Sequence, residues 1–180
     1  MTPDQAVCRC VLCHDYGDEN DPITEQTIRQ VREHGWQVIL IPADDLGPGW
    51  AFTIGLWHNH RSPELAMFGL DVKLMHRMLN GLAQNALNGR PAEDGQERDD
   101  VIDGYPVALK AVGHPWYKAF FGTAIKFYRR PPLPVLQVVW PSEQGAFPWD
   151  PESDEAHRGL QPQLWLDPSD HPAGPWTQDL

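Results

Sequence analysis

Trp36-Gln37-Val38-Ile39-Leu40-Ile41, Ala51-Phe52-Thr53-Ile54-Gly55 and Leu65-Ala66-Met67-Phe68-Gly69 are three short apolar runs separated by loops that carry proline and glycine. Runs of this length, closed by chain breakers, read as β-strands. The links between them are short and have no helical periodicity. A parallel crossover needs about a dozen residues or more, so the three runs predict an antiparallel meander.

Helical patterns lie on either side. Asp21-Pro22 has the form of an N-cap followed by a first-turn proline, Ile23, Ile28 and Val31 share a face, and Gly35 offers a C-cap, which together predict a helix over 22–34. A second helix is predicted from Asp71, with Val72, Met75, Met78, Leu79, Leu82 and Ala86 in one stripe and Asn88-Gly89 at its end. Pro91 to Gly104 is polar, acidic and without periodicity, and reads as an exposed loop. Val107–Val112 and Val135–Trp140 supply two more strands. Between them, Pro115 to Tyr128 fits a helix with Tyr117, Phe120, Phe121 and Ala124 inward, while Thr123–Tyr128 fits a strand equally well. From Pro141 onward, frequent prolines and aromatic clusters predict an ordered coil over the core. The expected fold is a single α+β domain: a mainly antiparallel sheet of about five strands, two or three packed helices and a Pro/Trp-rich C-terminal coil. The expected boundaries are a Cys-containing segment over 1–21, the domain over 22–166 and a partly flexible tail over 167–180.

Composition narrows the function. The 180 residues are 41% hydrophobic, enough to fill one core. Fourteen basic against 25 acidic residues give a net charge of -11, which opposes attraction to nucleic acid or an anionic membrane and leaves a small molecule or a protein as the expected partner. With no export-type N-terminus and no apolar run of about 18 residues, a cytoplasmic location is expected. Charge is uneven along the chain: Gly104 to Ser142 holds five basic residues and no acidic one, and Glu143 to Leu180 holds eight acidic residues and only Arg158. Either the acidic tail covers the basic strip or the strip is a local anion site.

Several short segments carry a family resemblance. In order along the chain they are Phe52-Thr53-Ile54-Gly55-Leu56, Pro63-Glu64-Leu65, Gly69-Leu70, Leu79-Asn80-Gly81-Leu82, Leu136-Gln137-Val138-Val139-Trp140, Phe147-Pro148-Trp149 and Gln161-Pro162. Together they resemble the bacterial family known as domain of unknown function 4262 (DUF4262), over roughly residues 8 to 165, and Cys10-Val11-Leu12-Cys13 is similar to that family's opening. The resemblance implies a family without implying an activity.

Three groups of residues carry chemistry. Cys8, Cys10 and Cys13 are an odd, local set suited to reduced thiols, and with His14 they have the donor types of a tetrahedral zinc site. Adjacency of Cys13 and His14 argues against all four binding together, and a distant ligand would then come from His34, His157 or His171. The Cys-x-x-Cys-His spacing also matches c-type haem attachment, which requires an exported setting. The second group is Trp57-His58-Asn59-His60-Arg61-Ser62-Pro63-Glu64, where His58 and His60 flank one residue and have the types that bind a divalent ion or move protons. Glu64 reads either as an acceptor for backbone N–H groups or as part of a site. The third group is a cleft built from Thr53, Gly55, Glu64, Gln137, Trp140 and Trp149, with a buried amide, a carboxylate and indole walls.

No serine-hydrolase elbow, phosphate-binding loop, dinucleotide fingerprint or His-Glu-x-x-His pattern is present. The leading expectation is therefore a binding module for a small molecule or peptide in an aromatic-lined cleft. An enzyme using Glu64 and His60 in metal-assisted or acid/base hydrolysis is the first alternative. A structural or interaction protein with a zinc-bound Cys segment is the second. No cofactor follows from the leading reading, and zinc is the one the cysteines suggest.

Overall fold

The computed structural model describes residues 7–178; the first six residues of the N-terminal segment and the last two of the tail lie outside them. Helix α1 spans Pro22–His34. The Asp21 carboxylate accepts from the amides of Ile23 (3.0 Å) and Thr24 (2.9 Å), and Gly35 closes the helix at φ +92°. Three strands follow, β1 (Gln37–Ile41), β2 (Trp50–Ile54) and β3 (Glu64–Phe68), paired antiparallel in sequence as the meander reading requires. A one-and-a-half-turn helix, α2 (Leu56–His60), sits in the β2–β3 link. Helix α3 (Val72–Leu87) is capped by Asp71 and buries Met75, Leu79, Leu82, Ala83 and Ala86.

The second half of the sheet bears out the mainly antiparallel reading, with six strands where about five were expected and one parallel pairing. Strands β4 (Glu97–Ile102), β5 (Tyr105–Ala111) and β6 (Val135–Val139) form a second antiparallel set, giving six strands in the order β1-β2-β3-β6-β5-β4. The two halves meet where β3 and β6 run parallel, with Glu64 beside Val135 and Ala66 beside Gln137. The sheet is therefore mixed. Both seam strands are buried along their whole length, as expected for strands covered on two faces.

Strand β4 occupies part of the predicted exposed loop. It is an edge strand whose charges face water, so it shows little apolar alternation. Its one deeply buried charge, Arg98, is held by a two-point contact to Asp100 on the same strand (2.9 and 2.7 Å).

Helix α3 covers one face of the sheet, over Leu65, Met67, Val107, Leu109, Leu136 and Val138. Each such apolar side chain contributes about 1.5–3 kcal/mol of burial free energy. The other face is covered by α1 and by the ambiguous stretch 115–128. That stretch is helical: a 3₁₀ turn (His114–Trp116) leads into α4 (Tyr117–Phe120) and α5 (Gly122–Tyr128), and the strand alternative falls. A short α6 (Glu155–Leu160) interrupts the C-terminal coil. The coil is fastened by indole N–H groups and aromatic packing. Trp116 Nε1 donates to the Leu166 carbonyl (2.7 Å), and Trp176 packs edge-on against Phe68 (5.4 Å). No helix among the described residues is long and apolar enough to cross a membrane.

Candidate metal centre

The Cys segment does not stand away from the domain. Cys8 and Cys10 are buried, and the Val11 amide donates to the Phe127 carbonyl at 2.9 Å, laying the segment along the end of α5. The amides of Cys13 and His14 both donate to the Cys10 carbonyl (3.0 and 3.1 Å), a tight turn that carries Cys13 back towards Cys10. The Cys10 and Cys13 sulfurs are 3.7 Å apart.

The fourth donor comes from α2. Gly55 precedes that helix at φ +117°, where an added Cβ would stand 2.8 Å from the Gly35 carbonyl oxygen, so the abrupt turn out of β2 requires glycine. The turn points His58 at the cysteines. Its Nδ1 lies 3.3 Å from Cys10 Sγ, 3.4 Å from Cys13 Sγ and 3.8 Å from Cys8 Sγ, and all four donor atoms lie within 4.8 Å of one another.

One imidazole nitrogen carries one hydrogen or one lone pair, so it cannot bond three sulfurs at once. A cation at the centre can satisfy all four donors. Zn–S bonds of about 2.3 Å and Zn–N bonds of about 2.0–2.1 Å in a tetrahedron imply S···S edges of about 3.8 Å and S···N edges of about 3.6 Å. The Cys10–Cys13 spacing of 3.7 Å and the S···N spacings of 3.3, 3.4 and 3.8 Å are close to those edges. Burial, with a contribution from Arg61, pushes the His58 pKa down and favours the neutral imidazole that a metal needs. Burial pushes the Cys10 and Cys13 thiols up, a cost that a divalent cation reverses by stabilising thiolate.

This corrects the ligand set anticipated from sequence. Cys8, Cys10 and Cys13 are brought together, but the fourth donor is His58 and not His14, which is exposed and has its ring 6.2 Å from that of Tyr16. Cys13 faces the other donors, while His14 lies outside their cluster. The distant histidines are engaged elsewhere: His157 packs on Trp140, His171 accepts from the Gln163 amide, and His34 is exposed beside Glu33.

Glu64 lies directly behind α2 and is fully buried. Its Oε1 accepts from the amides of Gly55 (2.8 Å) and Trp57 (3.2 Å) and from the Tyr128 hydroxyl. Its Oε2 accepts from the Thr53 hydroxyl (2.6 Å), which itself accepts from the Leu65 amide (2.9 Å). Burial pushes the carboxyl pKa up, and the four donors oppose that shift. Burial and the neighbouring carboxylate push Tyr128 well above its ordinary range, so the phenol stays protonated. The same Tyr128 oxygen accepts from the amides of Gly55 (3.2 Å) and His58 (3.3 Å), joining the carboxylate network to the backbone of the histidine that faces the cysteines.

The sequence matches the family described as Domain of unknown function (DUF4262) over residues 30–154. The chain belongs to that family. No curated protein and no solved structure gave a match. The DUF4262 match contains His58, Glu64 and Tyr128 but begins after the three cysteines, so the candidate centre joins a donor inside the family region to donors outside it.

Of the six residues expected to form the cleft, Thr53, Gly55 and Glu64 meet in the network just described. The other three do not join them. Gln137 is buried and satisfied by the coil, donating to the Pro162 carbonyl (2.7 Å) and accepting from the Leu164 amide (3.2 Å). Trp140 packs on the α3 face, and its indole donates to the Phe68 carbonyl (2.7 Å). The Gln161 side chain bonds both the N–H and the C=O of Trp140, as a neighbouring strand would. Trp149 lies half-exposed, stacked on Phe147 at 4.7 Å, with the Lys110 ammonium 4.5 Å from its ring. Alternation of side chains along β6 puts Gln137 and Trp140 on opposite faces, so one surface cannot present both. His60 is not among the partners of Glu64 either, and both oxygens of that carboxylate accept from structural donors.

Proposed function

We propose that this DUF4262 protein is a structural or interaction protein whose N-terminal segment is held by a structural zinc ion on Cys8, Cys10, Cys13 and His58. The single observation that carries this reading is the convergence of three sulfurs and one ring nitrogen within 4.8 Å of one another, with the nitrogen 3.3 to 3.8 Å from each sulfur. Four protein ligands leave no open position for water or substrate, which favours a structural over a catalytic role. Zinc is favoured over harder cations because thiolate and imidazole donors with no carboxylate select it. Bound there, the ion ties the Cys segment to α2 and, through the Tyr128 hydroxyl, to the Glu64 network. The hydrolase alternative loses support because Glu64 and His60 do not pair.

The test is metal analysis of protein purified under reducing conditions without chelator. One zinc per chain is expected, lost in His58→Ala and Cys10→Ser and retained in His14→Ala. Replacement by Co²⁺ is expected to give the visible bands of a tetrahedral thiolate site. Protein that retains neither metal, or that loses zinc in His14→Ala while keeping it in His58→Ala, overturns the assignment.

A further inference from the structure

Helices α4 and α5 and the proline-rich stretch after them enclose a hollow of about 480 Å³, separate from the four metal donors. Its volume lies within the range of about 300–1,000 Å³ that holds small organic ligands. The interior is mainly apolar, with Ile125, Leu133 and the ring of Tyr117 in the wall, and Tyr117 is braced by His114 stacked upon it at 4.9 Å and 15°. Tyr128 closes one side, and its hydroxyl is already committed to Glu64, so that side is held rigidly.

Charge at the mouth is more selective than the interior. Within the basic strip, Arg129 is neutralised by Asp18 (2.8 Å) and Lys126 by Asp21 (3.1 Å), while Lys110 lies over Trp149 and Trp165. Lys118 and Arg130 both line the hollow, both are exposed, and neither has a carboxylate partner among the described residues. Two uncompensated cations over an apolar cavity, in a chain of net charge -11, are complementary to an anion with an apolar body. Arg129 sits between cavity wall and rim at φ +65°, a conformation that costs a non-glycine residue and turns the chain sharply there.

We propose that this hollow binds a small organic anion: an aromatic or branched apolar body buried between α5 and Leu133, with one carboxylate-like or sulfonate-like group held by Lys118 and Arg130. The site is independent of the metal reading, since none of the four donors lines it.

The probe is 8-anilinonaphthalene-1-sulfonate, titrated by fluorescence against the folded full-length protein, with neutral N-phenyl-1-naphthylamine as the same aromatic body without the anion. Saturable one-to-one binding is expected, about tenfold or more tighter for the sulfonate. Lys118→Ala/Arg130→Ala is expected to weaken the sulfonate about tenfold and leave the neutral probe unchanged, because both side chains are exposed and the fold does not depend on them. Ile125→Trp, which fills the cavity, is expected to abolish binding of both. Non-saturable binding, equal affinity for the two probes, or sulfonate affinity unaltered by the double substitution each overturns the proposal.

Discussion

Glu64 is the residue on which the centre of the molecule depends. Its two oxygens collect two backbone amides and two hydroxyls from β2, the Gly55 turn, α2 and α5, so removing the acceptor takes a partner from four donors at once. Glu64→Gln replaces one oxygen by an NH₂ that faces donors, and is expected to lower stability by about 2–4 kcal/mol. Tyr128→Phe, which removes one donor to Glu64 and one acceptor for Gly55 and His58, is expected to cost about 1–3 kcal/mol. Both are read by urea denaturation, and a loss below about 0.5 kcal/mol in Glu64→Gln contradicts the network. The role of Glu64 as an acceptor for strand-mouth amides was legible from its position after a loop. Tyr128 was not, because a tyrosine in an aromatic-rich stretch gives no sign of a partner 64 residues earlier in the chain.

At the scale of elements, helix caps and edge strands behave differently under sequence reading. Helix α1 was legible because Asp21-Pro22 and Gly35 act locally: the cap side chain bonds amides two and three residues away. Those bonds, with the ammonium of Lys126, hold the Asp21 carboxyl down at about 2. A carboxyl whose pKa is depressed in the folded protein contributes stability above its unfolded value and loses it as pH falls through the folded one. Asp21→Ala is therefore expected to lower the unfolding temperature at pH 7, and the difference from wild type should shrink between about pH 4 and pH 2 in a series of thermal melts. A difference constant across that range contradicts the assignment. Strand β4 was missed although Asp103-Gly104 stands between it and β5, the kind of dipeptide that marks a tight hairpin. Gly104 does adopt φ +80°, but the surrounding charge disguised an edge strand as a loop.

Across the whole molecule, the N-terminal segment is joined to the domain by a backbone hydrogen bond from Val11, by the Asp18–Arg129 ion pair and by the four-donor cluster. With zinc bound only to the folded state, stability rises with free metal, by about 4 kcal/mol when its concentration is a thousandfold above Kd. Chelation is expected to lower the unfolding midpoint and to remove hydrogen-exchange protection from the Val11 amide while leaving the β3 and β6 amides protected. Unchanged protection at Val11 after complete metal removal contradicts the staple. The sequence by itself determined the local features of this protein: two capped helices, the β1–β2–β3 meander, the apolar seam strands, the reduced cysteines and membership in DUF4262. These follow from periodicity, caps and turns that act over a few residues. Tertiary structure alone decided the parallel β3–β6 seam, the choice of His58 over His14 and the separation of Gln137 from Trp140. Each depends on which distant segments share a face, and side-chain spacing along one stretch of chain does not encode how far it stands from another.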